Sequence, residues 1–240
     1  VNCEFVRRHL IADEAIPPDH IHLCYNGVDL DEFHPEPRRG APGSSVLAAL
    51  SGSGPVIGAV SALRPEKDLG TLLRAFDLLA RSHPALRLAI VGHGPSSEHV
   101  QSLAAGLEHA ARVHIEPGVP QVSEWLHAFD IFVLPSLSEA FSNALLEAMA
   151  CGCAVVASDT GGNPEIVGRG ADGKLARGLL FPPGDAAALE RVLETLLTSP
   201  ELRQRVAAEG TAFVRANFSL DRSARRMEEI YTAAIARSGR

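Results

Sequence analysis

The 240-residue chain is 46% hydrophobic and 21% charged, with a formal net charge of −7, which places it among soluble globular proteins and excludes disordered or fibrous classes. Its acidic excess, relieved by no basic block, argues against non-specific nucleic-acid binding, because like charge repels a phosphate backbone. No apolar run approaches the roughly 20 residues that span a bilayer, and the opening residues do not read as a basic, hydrophobic leader. Cys3, Cys24, Cys151 and Cys153 form no CxxC pair, so buried thiols in a reducing cytoplasm are expected.

The chain opens VNCEFVRRHLIADEAIPPDHIHLCYNGVD. This predicts a short strand, a helix around Phe5 to Ala12, a break at Pro17-Pro18 and a strand from Ile21 to Tyr25. Asn26-Gly27 suits a tight turn, since both residues tolerate positive φ. From His34 to Pro55 prolines, glycines and serines dominate around an apolar patch, Val46 to Leu50, so a surface linker with one short helix is expected.

Val56 to Val60 then reads as a buried strand, and Leu69, Leu72, Leu73, Phe76, Leu79 and Ala80 mark one face of the following helix. The connecting SALRPEKD puts Arg64 and Lys67 at the carboxyl edge of that strand, the edge where open α/β sheets bind ligands. Two cations there suit a diphosphate through charge-assisted hydrogen bonds, although most such pairs are merely solvated. Leu86 to Val91 predicts the next strand, and in the VGHGP that follows, Gly92 and Gly94 allow either a close approach to a ligand or a sharp turn. His93 reads as a loop histidine. After a helix ending near Gly106, Arg112 to Ile115 reads as a strand, EPGVP as a turn, and Gln121 to His127 as a short helix in which Trp125 packs inward.

The stretch from Asp130 to Asp159 organises the rest. Ile131 to Leu134 and Ala154 to Ala157 are uninterrupted apolar runs, as strands buried on both faces require. Between them Ala144, Leu145, Ala148 and Met149 recur at helical spacing, Ser142 suits the N-cap, and Gly152 suits the left-handed residue past the helix end. The result is a βαβ unit whose connecting loop, Pro135, Ser136, Ser138 and Glu139, faces a crevice. Glu139 and Glu147 stand in different backbone elements. An ordinary reading makes one a helix-dipole charge and the other a solvated one; a functional reading has them grip different parts of one ligand. Beyond them, Pro164 suits the first turn of a short helix, Glu165 reads as a favourable charge near that start, and Asp185 follows the strand Gly178 to Phe181 as an N-cap. Helices Ala186 to Leu197, Pro200 to Asn217 and one over about 219–236 complete the chain. The last carries an apolar stripe of Leu220, Ala224, Met227, Ile230, Tyr231 and Ala234.

PSLSEAFSNALLEAMACGCAVVASDTGGNPEIV, with two glutamates seven residues apart, resembles the C-terminal half of the family 4 retaining glycosyltransferases. The segments VNCEFVRRHL, NGVD, RPEK, EPGVP and GGNPE extend the resemblance from around Cys3 to around Tyr231. It implies a GT-B protein, and here a single Rossmann-like, doubly wound α/β domain over 1–240 with a parallel sheet. The acceptor-binding domain that precedes this half in the family is absent from the chain, and Asn26-Gly27 then becomes a hinge as readily as a turn. The resemblance also implies roles. Lys67 and Arg64 stabilise a diphosphate leaving group, aided by backbone N–H groups at Phe141, Ser142 and Asn143. Glu147 binds ribose hydroxyls and Glu139 the donor sugar. Backbone around Glu116 and Val119 meets the base, and Gly161 and Gly162 let the chain pass close to the sugar. No metal or other cofactor is then required, the donor substrate is a nucleotide diphosphate sugar, and the complete protein has room for peripheral membrane contact.

One departure stands out. Where the family shows an arginine after a glycine, this chain has Ser61-Ala62, with Arg64 two residues later and on the same side of an extended segment. Two other readings remain. The chain binds nucleotide without turnover of its own, or it is another GT-B enzyme such as a nucleotide-sugar epimerase, against which the two-glutamate segment argues.

Overall fold

The computed structural model describes residues 1–36, 50, 54–119, 121–168 and 177–238, with residues 237 and 238 described by backbone alone. The linker helix expected around Val46 to Leu50 falls almost wholly outside them. Six parallel strands form one sheet: β1 (Val56–Val60), β2 (Arg87–Val91), β3 (Val113–Glu116), β4 (Ile131–Leu134), β5 (Ala154–Ser158) and β6 (Leu179–Phe181), in the order β3-β2-β1-β4-β5-β6. That order reverses between β1 and β4, which register Ile57 against Ile131 and Gly58 against Phe132. Loops leaving the carboxyl ends of these two strands diverge to opposite sides, and the crevice between them is the ligand position of doubly wound sheets.

The apolar runs are continuous because alternate residues serve two cores. Phe132, Leu134, Val155 and Ala157 face one core, while Ile131, Val133, Ala154 and Val156 face the other. Helices cover both sides. On the first lie α4 (Val122–Ala128), α5 (Asn143–Ala150) and α6 (Asn163–Val167); on the second lie α2 (Leu69–Leu79), α3 (Ser97–Ala105) and α7 (Ala186–Thr198). All six residues expected on the α2 face are buried, each large one contributing about 1.5–3 kcal/mol of burial free energy. Trp125 is buried as expected, stacked on His114 at 5.6 Å.

Two expectations need correction. Ile21 to Tyr25 is not a strand: Cys24 N–H donates to the Val1 carbonyl and the Val1 amine to that of His22, both at 2.9 Å, too short a pairing to make a ladder. Nor is Asn26-Gly27 a positive-φ turn. Gly27 is small because the start of the last helix, α9 (Leu220–Ser238), crosses it; a Cβ there would sit 2.7 Å from the Leu220 Cα. Val28 N–H donates to the Phe218 carbonyl at 2.7 Å and Leu220 N–H to that of Val28 at 3.1 Å, anchoring α9 and the preceding α8 (Pro200–Asn217) to this segment. The first helix, α1, spans Glu4–Ala12.

Candidate functional site

Two loops separated by some seventy residues meet at the sheet's switch point. The Leu137 N–H after β4 donates to the Glu66 carbonyl after β1 at 2.8 Å. That bond aligns a 3-10 turn, Pro65–Lys67, with the loop carrying Glu139. Lys67 Nζ consequently lies 2.5 Å from Glu139 Oε2, with the side chains only 20% and 13% exposed, and Ser136 Oγ donates to the same oxygen at 3.4 Å. Partial exclusion of water strengthens this pair beyond an exposed one. Arg64 is not drawn in. Its side chain is 61% exposed and its nearest carboxylate is Glu66, at 3.9 Å.

The third component is the start of α5. Ser142 caps it as expected, its Oγ accepting the Leu145 N–H at 3.3 Å. Among the described residues no acceptor takes the Asn143 or Ala144 N–H, so donors and the positive helix end face the crevice, an arrangement that favours an anion. Asn143 Oδ1 accepts from Asn26 Nδ2 at 2.8 Å. The Phe141 side chain is turned away from the crevice: it is buried against Tyr25 and Phe218, ring centroids 5.3 and 5.6 Å apart.

Glu147 lies four residues past Asn143, hence on the same helix face. It is not a solvated surface charge. Burial, and then the nearby Glu32 carboxylate, push its pKa up, because a half-buried carboxylate loses hydration that no cation among the described residues replaces.

Gly161 and Gly162 answer first to the protein's own backbone. Gly161 has φ +55°, and a Cβ would lie 1.5 Å from the Glu139 carbonyl oxygen; one on Gly162 would lie 2.2 Å from that of Ala140. Gly162 N–H donates to the Ala140 carbonyl at 2.9 Å, so the glycine loop supports the segment that carries Glu139. Gly92 and Gly94 likewise pack on the backbone of Ser61 and Leu63. Glu116 and Val119 share the carboxyl edge but stand at β3, two strands from β1. Glu116 bonds His114 at 3.0 Å, and Val119 packs half-buried on the core. His93 is exposed.

Several contacts escape sequence reasoning. Glu165 does not serve its own helix: its carboxylate accepts the Glu4 N–H at 2.9 Å, the Phe5 N–H at 2.6 Å and the Tyr25 hydroxyl at 3.2 Å. It thereby caps α1 from across the fold. Cys3 Sγ donates to the Ala140 carbonyl at 3.2 Å. Together with Asn26 and Tyr25, these contacts fasten the first residues to the loop 139–143. Nothing local distinguishes such partners; a glutamate after Pro164 reads as a dipole charge wherever it stands.

A family profile described as "Glycosyl transferases group 1" matches residues 48–213. A D-inositol 3-phosphate glycosyltransferase of Streptomyces scabiei is 35% identical over 95% of this chain and 51% of its own length. The chain thus spans about half the length of the curated relatives it matches. Among solved structures, Anabaena HepE in complex with UDP superposes with a TM-score of 0.84 at 22% identity, covering 97% of this chain and 63% of that one. The C-terminal domain of the glycosyl transferase group 1 family protein LpcC from Francisella tularensis gives 0.68 at 24% identity, covering 81% of this chain and all of that one.

Proposed function

The chain belongs to the glycosyl transferases group 1 family, and from that premise we propose that it is the donor-binding, C-terminal half of a family 4 retaining GT-B glycosyltransferase. The observation that carries the reading is the convergence of Lys67, Glu139 and the start of α5 at the β1/β4 switch point. A nucleoside diphosphate laid there meets a cation and unclaimed N–H donors on its phosphates, so charge developing on the leaving group is stabilised without a metal. Glu147 accepts hydrogen bonds from ribose hydroxyls, and Glu139 from the donor sugar. Backbone near Glu116 and Val119 lines the base. The acceptor side lies in sequence outside this chain, which alone binds nucleotide and transfers no sugar. The complete enzyme works in the cytoplasm.

Calorimetry with uridine and guanosine diphosphates tests this reading. Lys67→Ala is expected to weaken binding about tenfold or more, the cost of one charged hydrogen bond, and Glu147→Ala by a similar factor. Glu139→Gln is expected to tighten it, since the carboxylate now pairs with the cation a diphosphate needs. Arg64→Ala, at an exposed rim, is expected to have the smallest effect, and one that shrinks with salt. Absence of diphosphate binding, or binding indifferent to Lys67→Ala, overturns the reading, as does acceptor-dependent transfer by this chain alone.

A further inference from the structure

We propose that the groove between the segment 23–26 and the junction of α8 with α9 is a second anion site, separate from the switch-point crevice, which takes a small phosphate ester on Arg215, Arg222 and Arg225. It is independent of the donor-binding reading.

The groove encloses about 750 Å³; binding sites for small molecules span about 300–1,000 Å³. Among the described residues its lining sets four arginines, Arg215, Arg222, Arg225 and Arg226, against one carboxylate, Glu229. That balance is local, since the chain as a whole carries 29 acidic and 22 basic side chains. Arg215 belongs to the last turn of α8 and the other three to α9, so the turn between the helices adds a cation that the α9 sequence does not supply. Lys67, Glu139, Ser142 and Asn143 do not line this groove, which keeps it apart from the crevice assigned to the donor.

The hydrogen bonds decide which arginines are available. Arg226 is engaged: its Nε donates to the Leu23 carbonyl at 3.2 Å and its Nη1 to Glu229 at 2.9 Å. It thereby fixes α9 against the segment 23–26 and occupies the only acid of the lining. Arg225 uses Nε alone, on the Asp221 carbonyl at 3.3 Å, and the guanidiniums of Arg215 and Arg222, both exposed, meet no acceptor among the described residues. A single exposed arginine is ordinarily just solvated. Three around one groove, with no carboxylate left to them, repel one another, and an anion laid between them reverses that. Together they offer more N–H donors than one carboxylate, with about four lone-pair sites, can accept, whereas a phosphoryl dianion matches guanidinium forks in both charge and geometry. Leu23 and Tyr25, both half-buried, also line the groove and give apolar surface for the organic part of an ester.

Heteronuclear NMR on the labelled chain, titrated with phenyl phosphate, tests the site. Amides of Leu23 and of Arg215 to Arg226 are expected to shift, with affinity about tenfold or more weaker when Arg215→Gln and Arg222→Gln are combined. UDP titration of that double variant is expected to shift Lys67, Ser142 and Asn143 as in the wild type, which shows the fold and the crevice intact. No shift along the groove, equal shifts in the double variant, or shifts confined to Lys67, Ser142 and Asn143 overturn the site. Benzoate binding as tightly as phenyl phosphate overturns the phosphoryl class, and inorganic phosphate binding as tightly overturns the ester. Vesicles of phosphatidylglycerol that carry down the wild type but not the double variant, with no response to phenyl phosphate, replace the small ligand by a membrane surface and overturn the proposal. If phenyl phosphate shifts the groove while UDP leaves Lys67, Ser142 and Asn143 unmoved, the donor reading falls and this site stands.

Discussion

Glu147 sits where burial and charge oppose each other. Its carboxyl is shifted upward by lost hydration and by Glu32. A folded-state value above the unfolded one means that the folded chain binds the proton more tightly. The penalty is therefore absent below the unfolded pKa and grows as pH rises through the window up to the folded value. Glu147→Gln is expected to raise the melting temperature at pH 7, each kcal/mol gained being worth roughly 2–4 °C in a chain of this size. At acid pH, where the wild-type side chain is also neutral, the difference should vanish. A melting-temperature difference independent of pH would refute the account. Retaining a carboxylate at a cost in stability is consistent with a ligand-binding assignment, since hydroxyl donors would replace the missing hydration.

At the level of elements, α1 is held less by its own sequence than by Glu165. None of its residues is buried, so an isolated nine-residue helix of this kind would be marginal. Its start is secured by the Glu165 carboxylate, opposite the helix dipole, and by Cys3, whose Sγ accepts the Val6 N–H at 3.4 Å. Glu165→Ala is expected to cost about 1–2 kcal/mol, at the upper end for loss of a helix cap, and to accelerate hydrogen exchange over residues 4–12 while leaving β1 and β4 protected. Uniform acceleration across the sheet, or none over α1, would contradict this. The Gly161-Gly162 loop should feel the change as well, because α6, which carries Glu165, begins directly after it.

Across the whole molecule, one surface lacks a cover among the described residues. Leu220, Met227, Tyr231 and Ile235 fall on one face of α9, at 49%, 39%, 62% and 73% exposure, while among the described residues the hydrogen bonds from α9 to residues 23–28 reach no further than Arg226, whose Nε donates to the Leu23 carbonyl at 3.2 Å. Of the wider stripe expected from the sequence, Ala224 and Ala234 are exposed as well, and Ile230 is half-buried. Apolar side chains aligned in this way associate. The chain is expected to show concentration-dependent self-association by sedimentation, abolished by Tyr231→Ser with Ile235→Lys; a wild-type monomer at high concentration would disprove this.

How much of this could be read without the fold follows from what each feature depends on. The strands Val56–Val60, Ile131–Leu134 and Ala154–Ser158, the Ser142 and Asp185 caps and the α2 face were legible, because burial period and capping are set by residues within a turn or two of one another. Ile21 to Tyr25 does not form a strand for the converse reason: a strand needs a partner, and the pattern does not supply one. The RPEK and two-glutamate segments mark the two loops that meet, yet which cation meets Glu139 was decided by the bond between Leu137 and Glu66. The pair itself spans 72 positions, and Glu165 reaches Glu4 across 161. Local sequence determines the elements and the residues offered at their ends. Which of those residues meet depends on strand order and loop path, so only the tertiary structure assigned Lys67 to Glu139, left Arg64 at the rim and gave Glu165 to α1.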